Sequence, residues 1–162
     1  MNEKSDVKRI FVVRHGHAGF EEKNDFKRQL NRKGINAVQK TANFIQDKCK
    51  ELSIVPELCI SSAAIRTRQT TEIICKINNV SKCKFYKELY SAAVSTWLEK
   101  IKNEPLKNII IVGHNPTFSQ MINNLCGYEL YIQPANCALI SLEFKPDGII
   151  YPATLTEFYQ HE

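Results

Sequence analysis

Arg9-Ile10-Phe11-Val12-Val13-Arg14-His15-Gly16-His17 is an apolar, β-branched run that stops abruptly on an arginine, a histidine and a glycine. It reads as a short buried strand with polar chemistry at its carboxyl end. In open α/β sheets ligands bind at that end, because the loops leaving the strand tips form a crevice that the sheet holds rigid. Gly16 would let the backbone approach a ligand closely, Arg14 brings a permanent cation with a planar fork of donors, and His15 can be a neutral nucleophile near pH 7. Together they suit a bound phosphoryl group. A lone Arg-His-Gly also fits a solvated basic turn, so the weight falls on the remainder of the chain.

A later stretch repeats the same logic. Asn108-Ile109-Ile110-Ile111-Val112 is the clearest buried strand, and it breaks on Gly113-His114-Asn115-Pro116-Thr117 before a helix over 118–126, with Pro116 suited to the first turn. Between these two lie further expected strands at 57–61, ending in polar Ser61 and Ser62, and at 83–86. Helices are expected from an Asn31 cap to about residue 50, through Arg66 to Ile74, and over 94–102, where Trp97, Leu98 and Ile101 form the buried side. The segment 16–29 reads as a long charged loop. Lys145-Pro146-Asp147-Gly148 is a hairpin signal joining strands at 138–144 and 149–154.

Strands alternating with helices imply one α/β domain of three layers, α/β/α, with a mostly parallel central sheet and an antiparallel edge. The expected organisation is a flexible terminus over 1–7 and a single domain over 8–162. A chain of 162 residues, 43% apolar and 24% charged, is ordinary for a soluble globular protein and large enough for a real core. No apolar run approaches the roughly 20 residues needed to span a bilayer, and the polar start Met1-Asn2-Glu3-Lys4-Ser5-Asp6 has no signal-peptide character, so a cytoplasmic protein with no membrane partner is expected. The net charge of +5 would favour anionic substrates, whereas a nucleic-acid module would need a recognition helix or an aromatic ladder that the sequence lacks. The six cysteines show no C-x-x-C pair and no histidines at zinc spacing, and they read as reduced, buried small hydrophobes.

Parallel neighbours point their carboxyl ends the same way, so Arg14, His15, Ser61, Arg66 and His114 should converge on one rim. Arg66 lies in the first turns of its helix, whose free N–H groups favour anions. Arg68, two residues on, cannot share its face and is read as solvent-facing. Two histidines and two arginines with no acidic residue at metal-ligand spacing favour a cationic phosphoryl pocket with no metal and no cofactor.

These segments carry a resemblance. Val13-Arg14-His15-Gly16-His17-Ala18, Arg28-Gln29-Leu30-Asn31-Arg32-Lys33-Gly34, Ser61-Ser62-Ala63-Ala64-Ile65-Arg66-Thr67-Arg68-Gln69-Thr70, Glu88-Leu89-Tyr90-Ser91-Ala92 and Val112-Gly113-His114-Asn115-Pro116-Thr117 resemble the successive motifs of the histidine phosphatase superfamily, in particular its small SixA-like phosphohistidine phosphatases. The likeness spans nearly the whole chain, and the ordered set is specific where each piece alone is weak. The short length fits too, since phosphoglycerate-mutase-like and acid-phosphatase relatives carry insertions over the site.

The resemblance implies that His15 is the nucleophile and becomes transiently phosphorylated. It implies that Arg14 and Arg66 clamp the phosphoryl oxygens, and that His114, charged in the complex, stabilises them. Gly16, His17 and Asn115 are expected beside the substrate. A neutral His15 needs its other ring nitrogen held by an acceptor such as a main-chain carbonyl. One departure is informative: superfamily members that cleave phosphate esters have a carboxylate shortly after the leucine corresponding to Leu89, and this chain has Tyr90-Ser91-Ala92 there. Glu88 is at the wrong offset. An alkoxide leaves poorly without a proton donor, while the imidazole of phosphohistidine takes up its own proton, so the missing acid points to P–N hydrolysis. His17 is either a substitute donor or a rim residue.

The expected function is hydrolysis of phosphohistidine on a partner protein. The alternatives are a small-molecule phosphomonoesterase or a non-catalytic phosphate-binding module. A monomer is the default assembly.

Overall fold

A computed structural model of the protein describes residues 6–160. The strands are β1 (Asp6–Arg14), β2 (Leu58–Ser62), β3 (Cys83–Tyr86), β4 (Asn108–Gly113), β5 (Cys137–Lys145) and β6 (Gly148–Tyr159). The helices are α1 (Arg32–Leu52), α2 (Ile65–Asn78), α3 (Val94–Lys102) and α4 (Thr117–Cys126), with 3-10 turns at Asp25–Lys27 and Lys87–Ser91. All six strands form one sheet in the order β3-β2-β4-β1-β5-β6. The first four in that order run parallel, and β5 and β6 add the antiparallel edge.

The three layers follow from alternation along the central strands. In β1, Ile10 and Val12 face the layer that holds Trp97 and Ile101 of α3 and Phe118, Met121 and Ile122 of α4. Phe11 and Val13 face the opposite layer, with Val38, Ala42 and Ile45 of α1 and Ile74 of α2. Ile109 and Ile111 of β4 against Ile110 and Val112 divide in the same way. A strand buried on both faces has no polar side to show, which is why these runs are continuously apolar. Each of those aliphatic side chains is removed from water, worth about 1.5–3 kcal/mol apiece.

Element boundaries moved modestly. β1 begins at Asp6 instead of Lys8, because Asp6 and Val7 pair with Phe144 and Glu143 of β5; positions 1–5 of the expected loose terminus lie outside the described residues. The Asn31 side chain caps α1 through Gly34 N at 2.8 Å. The segment 16–29 is more ordered than a plain loop, since the Asn24 side chain accepts from Phe26 N at 3.1 Å and starts a 3-10 turn. All six cysteines are free thiols, five of them buried and Cys83 half-buried.

β1 and β4 are adjacent and in register, Arg14 opposite Gly113. The chain leaves β1 for α1 on one face of the sheet and leaves β4 for α4 on the other. A crevice opens at such a topological switch point, and the His15 and His114 tips flank it.

Candidate active site

His15 is buried, and its ring is fixed from both ends. Nδ1 lies 2.7 Å from the carbonyl oxygen of Gly16, which can only accept, so Nδ1 carries the proton. Nε2 then keeps its lone pair and accepts from Arg66 Nε at 3.3 Å. Burial, opposed by the Gly16 hydrogen bond and helped by the charges of Arg66 and Arg14, lowers the His15 pKa from 6.5 to about 3. The imidazole is therefore neutral at pH 7, with a free electron pair on the nitrogen held at Arg66.

His114 stands with its ring centroid 5.3 Å from that of His15. Its Nε2 is 2.8 Å from Ser62 Oγ. Burial, then the neighbouring Arg66 charge, lowers its pKa to about 4, so it too is neutral in the unliganded site. The cation expected at His114 is thus a property the ring would acquire only beside an anion.

The serine that meets His114 is Ser62 and not Ser61. β2 continues through Ser62, and the two hydroxyls point to opposite faces. Both serines are buried; Ser62 shares the side of Leu58 and Ile60 and reaches His114, whereas the Ser61 hydroxyl donates to Ser62 O at 2.8 Å.

The cleft has a volume of about 660 Å³ and is lined by Arg14, His15, His17, Arg28, Arg66, His114 and Asn115, among others. Arg14 donates through Nη1 to Ile132 O at 3.0 Å, and its buried Nε has no hydrogen-bond partner among the described residues. Arg68 is exposed and stays outside, as expected from its spacing. Gly16 does not line the cleft. A Cβ there would come 2.7 Å from Val38 Cγ2 and 3.0 Å from Gly34 O, so the close passage of α1 requires the glycine. Its functional atoms are the carbonyl that orients His15 and the N–H that donates to Thr70 Oγ1 at 3.1 Å. Asn115 braces the far wall, its Nδ2 donating to Ile132 O at 2.9 Å and its Oδ1 accepting from Ser119 N at 3.1 Å.

Two side chains in the cleft were not singled out by the sequence. Asp25, from the 3-10 turn, pairs with Arg66 Nη2 at 3.0 Å and with Arg28 Nη1 at 3.0 Å, and Tyr90 OH donates to the same carboxylate. Arg66 Nη1 also donates to Asp25 O at 2.6 Å. Hydrogen bonding from Tyr90, followed by that from Arg28 and Arg66, holds the Asp25 pKa far below the usual carboxylate range. Tyr90 directly follows the buried Leu89, and its ring meets His114 edge-on at 5.5 Å. Arg28 both lines the cleft and ties the loop, donating to Gly19 O at 2.9 Å and lying 4.1 Å from the Phe20 ring centroid. The Asn24 cap at the head of this turn is the one local sequence signal that could have placed Asp25.

Three arginines, three imidazoles, of which His15 and His114 are neutral, and one carboxylate line the cleft, a set that can hold a multiply charged oxyanion and offer it a nitrogen nucleophile. Among the described residues, no cluster of three or more His, Cys, Asp or Glu side chains is arranged to hold a metal ion. Among the described residues, no helix is long and apolar enough to cross a membrane.

No family model matches the sequence. The phosphohistidine phosphatase SixA of Escherichia coli strain K12 is 24% identical over 144 residues, spanning 86% of this chain and 87% of that protein. Among solved structures, one assigned as the phosphohistidine phosphatase SixA of Agrobacterium tumefaciens superposes with a TM-score of 0.78 at 25% identity, covering 95% of this chain and 98% of the other. A protein histidine phosphatase SixA complexed with tungstate gives 0.76 at 22% identity over 93% and 95%. A phosphoglycerate mutase from Bacillus anthracis shares the fold at a TM-score of 0.70 and 16% identity, over 94% and 93% of the two chains. By sequence and by structure, the chain is a homologue of the SixA phosphohistidine phosphatases, and it shares its fold with a phosphoglycerate mutase.

Proposed function

We propose that the protein hydrolyses phosphohistidine on a partner protein through a phosphorylated His15. The observation that carries this reading is the tautomer of His15. With Nδ1–H tied to Gly16 O, the electron pair on Nε2 is available to phosphorus at neutral pH. Nε2 attacks, the P–N bond to the substrate imidazole breaks, and the leaving nitrogen takes up a proton from solvent, which the attacking water of the second step returns. Water then attacks phospho-His15, releasing inorganic phosphate and returning the electron pair to Nε2.

Arg14 and Arg66 stabilise the phosphoryl oxygens through both displacements, and His114 becomes a hydrogen-bonding cation as the phosphoryl charge raises its pKa from about 4. Asp25 now stands on the Arg66 fork where those oxygens would sit, so substrate takes its place. The long contact from Arg66 Nε to His15 Nε2 is exchanged at the same moment. Tungstate held by a solved SixA protein is a tetrahedral oxyanion of the kind this cleft suits. The absence of an acid after Leu89 favours a leaving group that needs no strong proton donor, and imidazole is one.

Turnover of a histidine-phosphorylated protein measured beside p-nitrophenyl phosphate tests the reading. A much higher kcat/KM for the phosphoprotein is expected. Faster cleavage of the ester would instead support a phosphomonoesterase, and binding without turnover of either would support a phosphate-binding module.

A further inference from the structure

The 3-10 turns at the edge of the cleft have a second side. Asp25 and Arg28 line the cleft, but Phe26 and Lys27 between them line a separate groove of about 500 Å³. Likewise Tyr90 and Ser91 face the cleft, while Lys87 of the same turn faces the groove. The partition is an aromatic pair, Phe26 meeting Tyr90 edge-on at 5.1 Å. The groove has an apolar floor of Phe26, Ile65 and Phe85 and a rim of Lys27, Arg68 and Lys87. Among the described residues no acidic side chain lines it.

The rim charge is held in place. Arg68 Nε donates to Ala63 O at 3.1 Å, and its guanidinium lies 4.3 Å from the Phe85 ring centroid. The fork is thus pinned flat along the apolar floor with its outer donors open. Lys27 and Lys87 are exposed, and among the described residues neither they nor Arg68 form an ion pair. An apolar floor ringed by one sign of charge is complementary to an apolar side chain flanked by carboxylates. Its position adds a second argument: a specific protein interface covers about 800 Å² of each partner, far more than a phosphorylated imidazole can, so a protein substrate must rest on the surface beside the cleft.

We propose that this groove docks the body of the phosphohistidine-bearing protein, taking an apolar side chain set between acidic residues. The proposal rests on the phosphohistidine reading above and adds the chemistry of the surrounding partner surface. An apolar anchor against Phe26 and Phe85 would be separated from His114 by the rings of Phe26 and Tyr90, which leaves the neighbouring phosphohistidine free to enter the cleft. Small phosphoryl compounds would not touch the groove.

The test uses the full chain and two synthetic peptides of equal length, with a leucine between glutamates or between lysines next to one histidine. Titration of the unphosphorylated peptides, followed by amide NMR shifts, is expected to move Phe26, Ile65, Arg68 and Phe85 with the acidic peptide only. With the histidine phosphorylated, the acidic peptide is expected to show a KM about tenfold lower than the basic one. The double variant R68E/K87E should abolish that preference while leaving phosphoimidazole turnover unchanged. Equal shifts with both peptides, shifts confined to other surfaces, or a preference that survives R68E/K87E would overturn the docking assignment. The NMR arm reads the groove whether or not P–N bonds are cleaved, so loss of phosphohistidine turnover alone would count against the activity and not against the groove.

Discussion

Asp25 and Arg66 form an ion pair at 3.0 Å inside the cleft, the carboxylate half exposed and the guanidinium almost wholly buried. The protein thereby satisfies its own anion site when empty: the Arg66 terminal nitrogens are spent on Asp25, and their exchange onto phosphoryl oxygens carries a cost. Asp25→Asn removes the competing charge but keeps a hydrogen-bonding side chain. Inhibition by vanadate is expected to tighten about fivefold in D25N, the worth of about 1 kcal/mol for a half-exposed pair. Weaker inhibition would show that Asp25 helps to hold the ligand.

Ser62 and Ser61 make a paired test of which hydroxyl reaches the chemistry. Ser62→Ala removes the group 2.8 Å from His114 Nε2, and kcat should fall about fivefold to tenfold for the loss of about 1 kcal/mol of ring positioning. Ser61→Ala alters a hydroxyl that donates to the neighbouring carbonyl and away from His114, and it should leave kcat close to wild type. Steady-state kinetics of the two variants check it; equal losses would contradict the His114 contact.

Arg66→Lys keeps the charge and loses the fork. The guanidinium reaches His15 through Nε and Asp25 through both terminal nitrogens, a geometry an ammonium cannot copy. A loss of about 2–4 kcal/mol of transition-state stabilisation is expected in kcat/KM, similar to that of Arg66→Ala. Near-normal activity in R66K would mean that charge alone suffices.

Acid should unfold the protein earlier than its carboxylates alone would dictate. His15 and His114 have pKa values lowered from 6.5 to about 3 and about 4, so between those values and 6.5 the unfolded chain binds protons that the folded one excludes. Stability is full above pH 6.5 and falls as pH drops through that window, by up to about 1.4 kcal/mol per unit for each ring. Denaturant titrations across this range should show the slope, and His114→Gln should reduce it. A flat profile above pH 4 would contradict the neutral, buried rings.

The sequence made the frame of the site legible because two apolar runs, ending at Val13 and Val112, break onto histidine tips that a parallel sheet must bring side by side. Arg66 followed from its place at the start of a helix. What escaped depended on atoms beyond a run's own pattern. Asp25 enters the cleft only because Arg28 draws the loop back onto the Ala18 and Gly19 carbonyls. The choice between Ser61 and Ser62 turned on one more residue of strand, since each step reverses the face. The missing side chain of Gly16 makes room for α1, a packing demand its own run does not show. Tyr90 was seen only as the absence of an acid, although its hydroxyl holds Asp25 in place.

The covalent route through His15 is tested most directly by quenching the enzyme in alkali during turnover of a histidine-phosphorylated protein and mapping the phosphoryl group by mass spectrometry. The account predicts a transient adduct on His15 that forms and decays at the turnover rate and is missing in His15→Ala, which should be inactive. An adduct on any other residue, or undiminished turnover by His15→Ala, would contradict it.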